Sequence, residues 1–132
     1  MPHKPASADS RALLGRRSEQ LAVRFLRAHG YVIEQTNVRF PVGEIDIVAR
    51  DGHTLCFIEV RSTTSAAWGG PLASIGGRKV RRLIRAARWY LSRYLSRGRV
   101  LSPETRFDVV SIVWTNDGPP VPELVRGAFE AD

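Results

Sequence analysis

Two short apolar runs, residues 43–49 and 54–61, flank Asp51-Gly52 and restrict this chain more than any other feature. Asp-Gly between alternating hydrophobic segments marks a two-residue β-hairpin turn. Such a hairpin carries Ile45, Ile47, Ile58 and Val60, so it needs a sheet with covered faces. Helical spacing surrounds it. Leu14, Leu21 and Phe25 form one stripe of a helix over residues 13–29, stopped by Gly30, and Val80, Leu83, Ala87 and Leu91 begin a second that runs through Gly98. Residues 31–40 are extended in character, 107–114 form a mostly apolar strand, and 121–132 supply a short edge element and tail. The order αβββαβ is that of a mixed α/β domain whose second helix crosses over between strands able to pair in parallel. The expected division is a flexible N-terminal tail over 1–12, one α/β domain over 13–115, and a C-terminal turn, edge element and tail over 116–132.

Composition narrows the class. With 132 residues, 43% hydrophobic and 25% charged, the chain is sized and composed as a single globular domain. The lone Cys56 excludes an intrachain disulfide and a cysteine-rich zinc ribbon. No run of 18 apolar residues occurs, and no apolar segment follows Met1-Pro2-His3-Lys4-Pro5, so neither a membrane span nor a secretory signal is expected. A cytoplasmic setting is the simplest expectation. Cys56 falls on the Ile58 and Val60 side of its strand, as a buried thiol.

Glu44, Asp46 and Glu59 sit on the hairpin. Alternation places Glu44, Asp46 and Val48 on one face of the first strand and Phe57, Glu59 and Arg61 on one face of the second. With Asp51-Gly52 as the turn, Arg50 pairs with His53 and Asp46 lies opposite Phe57. Asp46 and Glu59 then become diagonal neighbours about 7–8 Å apart at Cα. Carboxylates gathered on a partly buried sheet repel one another. A hard divalent cation relieves that, and Mg²⁺ typically takes one or two carboxylates plus water or phosphate oxygens. The alternative is that Glu44 and Glu59 are solvated, or paired with Arg39 and Arg61. Glu19, at the margin of the first helix's apolar stripe, is a third acid with an equivalent alternative, pairing with Arg16 or Arg17.

Charge supplies a second constraint. The net charge is +7, and 18 of the 20 basic residues are arginines. Nine basic residues and no acid fall between Gly76 and Arg99, including Arg78, Lys79, Arg81, Arg82, Arg85 and Arg88. One-signed helix faces repel themselves unless an anion meets them. Nucleic acid, held through its backbone, is the expected partner, with a slope of log K against log salt of about −4 to −5 on duplex DNA if four to six arginines touch phosphates. Trp89 and Tyr94 read as packing residues. Asp108, in an apolar strand after Arg106, reads as a structural ion-pair partner.

The string Gly15-Arg16-Arg17-Ser18-Glu19-Gln20-Leu21-Ala22, then Gly30-Tyr31, Asn37-Val38-Arg39, Gly43-Glu44-Ile45-Asp46, Phe57-Ile58-Glu59-Val60-Arg61, Trp68-Gly69, Lys79 and Arg106-Phe107-Asp108-Val109-Val110 resembles the YraN family. The resemblance covers roughly residues 12–115. It implies a restriction-endonuclease-like mixed β-sheet flanked by helices, of the PD-(D/E)xK type near the Holliday junction resolvases. It implies Asp46 and Glu59 as catalytic metal ligands for Mg²⁺ or Mn²⁺, with Glu19 and the Val60 carbonyl as further ligands and Glu44 as an accessory. Arg61 stands where the pattern has lysine. Arginine is effectively never deprotonated, so Arg61 can hold a water or stabilise phosphorane charge but cannot act as a general base. Lys79 matches a separate family lysine, one that could reach the site from the basic helix. Trp68, in the small-residue loop 62–77, either stacks on a base or plugs a core edge. The function implied is a metal-dependent nuclease acting on branched or structured DNA, with a homodimer suggested by the symmetry of such junctions. The alternatives are a nucleic-acid-binding domain silenced by Arg61, or a basic protein-interaction module.

Overall fold

The computed structural model describes residues 8–64, 76–96 and 104–131. Helix α1 spans Ala8–Ala28, strands β1 Val32–Phe40, β2 Gly43–Asp51 and β3 Thr54–Thr63, helix α2 Gly77–Ser96, and strands β4 Glu104–Val113 and β5 Val121–Phe129. The helix expected from residue 13 thus begins five residues earlier, inside the segment read as a tail. The C-terminal edge element is a full nine-residue strand, making the order αβββαββ. Trp68, most of the 62–77 loop, Arg97 and Arg99 lie outside the described residues.

The five strands form one mixed sheet in the order β1-β2-β3-β4-β5. Only β3 and β4 are parallel, in register from Thr54↔Glu104 to Thr63↔Val113. This is the expected crossover, with α2 in the connection. Helix α1 covers one face, where Ala22, Leu26 and Tyr31 pack on Ile47, Ala49, Cys56, Ile58, Val110 and Ile112. Helix α2 covers the other, setting Leu83, Ala86 and Ala87 on Ile45, Val48, Leu55, Phe57 and Phe107. Coverage on both sides explains why β4 is buried without a break from Phe107 to Val113. Cys56 is fully buried beside Ile58, as its strand position implied.

The hairpin register differs from expectation by two residues. Asp51 pairs with Thr54, Arg50 with Leu55 and Ile47 with Ile58, so the loop is Gly52-His53. Gly52 has φ +62° and His53 is not left-handed, the pattern of a type II′ turn with glycine first rather than a type I′ turn with glycine second. An even shift preserves the faces, because side chains alternate with period two. Alternation itself fails at Asp46. Ile47 and Ala49 join the α1 core, yet Ile45 joins Val48 in the α2 core. Glu44, Asp46 and Val48 therefore do not share a face through this twist.

Helix α2 lies directly on Gly43. A Cβ built there would sit 2.4 Å from the Arg82 carbonyl oxygen and 3.0 Å from its carbon. Both atoms are backbone, so relief requires moving the helix. Gly43→Ala is expected to destabilise the fold by about 1–3 kcal/mol, read as a lower denaturant midpoint at constant slope.

Candidate active site at the split between β2 and β3

The β2–β3 ladder ends at Ile47↔Ile58, although β2 starts at Gly43 and β3 continues to Thr63. Asp46 and Glu59 are the first residues past its end, on the two separating strands. The opening is bridged by a side chain, because the Val60 amide donates to Asp46 Oδ2 at 2.8 Å. Asp46 and Glu59 thus come together as the hairpin reading required, by a register it did not foresee.

Glu59 is 6% exposed. Its Oε1 lies 2.6 Å from Lys79 Nζ on the first turn of α2. A cation that meets this buried acid is therefore Lys79 on the helix. Arg61 is half-buried two residues along β3 and, among the described residues, is not one that line the cleft around Asp46 and Glu59. Glu44 is exposed and pairs with Arg39 at 3.6 Å, the alternative that the sequence had left open for it.

Glu19 approaches from α1. The Asn37 amide, turned with its nitrogen toward the carboxylate, donates to Glu19 Oε1 at 3.0 Å and Oε2 at 3.3 Å. Asn37 holds φ at +53°, a region asparagine tolerates better than most residues. Its role was not legible as chemistry; the only hint was its place in the Asn37-Val38-Arg39 motif. Arg16 and Arg17 are not what meets Glu19.

Two clefts open from this point and share Glu44, Asp46 and Val60. One, of about 590 Å³, reaches toward Glu19, Asn37 and Ser62 on the α1 side. The other, of about 540 Å³, reaches past Glu59 to Arg78, Lys79 and Arg82 on the α2 side. The acids feel each other across them. Burial, then the charge of Glu59, pushes the Asp46 carboxyl up to about 8, against the Val60 hydrogen bond and the Lys79 charge. Burial also raises Glu19; the Asn37 bond opposes this, and Glu44 and Glu59 add to it. Lys79 alone does not compensate so much negative charge.

The donor chemistry fits a hard divalent ion, since Asp46 and Glu59 offer carboxylate oxygens beside an open cleft. Among the described residues, no three carboxylate, imidazole or thiol groups gather as a ready-made cage. Two carboxylates, with water and phosphate oxygens completing the shell, match the way Mg²⁺ is usually held.

Arg78, Lys79, Arg81, Arg82, Arg85 and Arg88 are all exposed on α2. Arg78 and Arg82 line the cleft itself, whereas Arg81, Arg85 and Arg88 line a separate surface hollow with Glu130. No described helix is long and apolar enough to cross a membrane.

The family model of the uncharacterised protein family UPF0102 matches residues 18–112. A UPF0102 protein of Desulfosudis oleivorans is 44% identical over 124 residues, 94% of this chain and 95% of that protein. A second, from Chlorobium phaeobacteroides, is 48% identical over 100 residues, 76% of each chain. A third, from Myxococcus xanthus, is 38% identical over 126 residues, 96% of each.

Proposed function

The chain belongs to the uncharacterised protein family UPF0102, the family its motifs resembled under the name YraN, and we propose that it is a divalent-metal-dependent nuclease of structured or branched DNA. The observation that carries this reading is the split sheet. It leaves Asp46 and Glu59 side by side, undercompensated in charge, at the head of an arginine-lined cleft.

The residues divide the work as follows. Asp46 and Glu59 would hold Mg²⁺ or Mn²⁺, with Glu19 facing Asp46 across the α1-side cleft and the Val60 peptide fixing Asp46. When bound, the metal supplies a water acidic enough to attack near neutral pH and polarises a phosphodiester oxygen. Lys79 holds its ammonium at Glu59, where it can orient the attacking water or stabilise charge on the phosphorus oxygens. That is the role the motif lysine would fill and that Arg61 leaves open. Arg78 and Arg82 meet the flanking phosphates with guanidinium forks.

Lys79→Ala is expected to lower the single-turnover cleavage rate by about 100-fold. It should also lower the melting temperature, because it leaves the buried Glu59 carboxylate without that cation, and Mg²⁺ should recover part of that loss. Arg61→Lys is expected to leave the rate near wild type. A large gain with Arg61→Lys would instead favour the second reading, a binding domain whose chemistry arginine has silenced.

A further inference from the structure

Trp89 packs on one side only. It is 40% exposed, and its ring lies 5.6 Å from that of Phe40 on β1. The Arg93 guanidinium sits 5.2 Å from the centre of the Phe40 ring, so cation and aromatics form one surface. Arg78, Arg82, Arg85, Trp89 and Arg93 follow each other at spacings of four, three, four and four residues, and so share one stripe of α2. The stripe starts in the Asp46–Glu59 cleft, which Arg78 and Arg82 line. It ends at a second hollow of about 340 Å³ bordered by Phe40 and Arg93.

A partly exposed indole within a run of arginines matches one kind of ligand. The arginines suit a phosphate backbone, and the indole face suits an unpaired base. A fully paired duplex offers no base face along its length. We propose that this stripe is a track for an unpaired DNA strand, with a base stacked on Trp89 against Phe40. Ten residues separate Lys79 from Trp89, ~15 Å along the helix. That is about four stacked nucleotides at ~3.4 Å each. The inference rests on the nuclease reading and narrows it to substrates with a single-stranded stretch a few nucleotides from the scissile bond.

The test is fluorescence anisotropy in EDTA, where cleavage plays no part. The probes are a labelled blunt duplex and the same duplex with an unpaired extension, across a salt series. Wild type is expected to bind the extended duplex about tenfold more tightly than the blunt one. Trp89→Leu should remove that margin while leaving blunt-duplex affinity and the salt slope unchanged, and Trp89→Phe should keep most of it. Equal weakening on both probes, or a margin that survives Trp89→Leu, overturns the stacking track and leaves the nuclease reading intact. Absence of binding to either probe overturns both.

Discussion

Asp46→Asn should melt above wild type at pH 8 and higher, by roughly 5 °C or more. Burial and Glu59 raise the Asp46 carboxyl from its ordinary 3.8 to about 8. Between those values the folded chain holds a proton that the unfolded chain has lost. Stability therefore falls as pH rises through this window, and the loss is complete above the folded value. Asparagine mimics the protonated form and escapes the loss. Other groups titrate too, so the informative quantity is the difference between variant and wild type. It should be near zero at pH 4, grow up to about pH 8, and then level off. Adding Mg²⁺ at pH 8 should raise the wild-type melting temperature, because a ligand that binds only the folded state stabilises it. Asp46→Asn should show little of that response. A substitution that strengthens the fold while removing the metal response would mark Asp46 as a residue kept for chemistry, since proteins commonly sacrifice stability at active sites.

Asp108→Ala should have the opposite character. Asp108 is fully buried on the α1 side of the sheet. It accepts hydrogen bonds from Tyr31 Oη at 2.9 Å, from Arg106 Nε at 2.8 Å and Nη2 at 2.9 Å, and from the Gly127 amide at 2.9 Å. Gly127 presents that amide from a left-handed bulge, φ +61°, where the β4–β5 register slips between Phe107 and Val109. Burial alone would raise the Asp108 carboxyl. The bonds from Arg106, Gly127 and Tyr31 outweigh it and hold the carboxyl below the usual range. Arg106 also reaches Asp51 at 2.8 Å, tying the end of β2 to β4 and β5. Removing the carboxylate leaves the Tyr31 phenol and the Gly127 amide without their acceptor and Arg106 with Asp51 in its place, at a cost of about 3–5 kcal/mol. That is a large share of the ~5–15 kcal/mol typical of a whole domain. Thermal unfolding should drop by roughly 10–20 °C, and cleavage measured on the fraction still folded should be unaltered. Rate loss at unchanged stability would instead mean that this network takes part in the chemistry.

What could be read in advance was what is local. Hydrophobic spacing located both helices, and alternation located the hairpin strands. Their connection through one helix implied the parallel pairing of β3 with β4. The structural reading of Asp108 also held, because a lone aspartate after arginine in an apolar strand has few other solutions. Turn geometry was harder. Asp51-Gly52-His53 accommodates glycine first or second in a two-residue loop, and the choice moved the register by two. The even shift kept the faces from Ile47 to Asp51, and the twist at Asp46 broke them beyond. Lys79 was raised only through the resemblance, as a lysine able to reach the site, and its pairing with Glu59 was not legible. It stands 20 residues from Glu59 in sequence, across a loop of small residues with no periodicity to extrapolate. Its position follows from where α2 docks, and α2 docks where Gly43 lets its backbone come close. No pattern in the chain reports that contact until both elements are placed. Trp89 packs on Phe40 as expected of a packing residue, but how far it is covered was not legible for a related reason. Its helical angle lies at the border of the apolar stripe, and only the edge of β1 determines how much of it stays covered.

The most direct measurement is cleavage of a labelled four-way or flap DNA by purified wild type and Asp46→Asn, each in Mg²⁺, Mn²⁺ or EDTA. Strand scission by wild type in either metal, none in EDTA, and at least about a hundredfold less with Asp46→Asn is the predicted result, matching the several kcal/mol a bound metal contributes. Tight, salt-sensitive binding with no scission in any metal, or scission undiminished by Asp46→Asn, would contradict it.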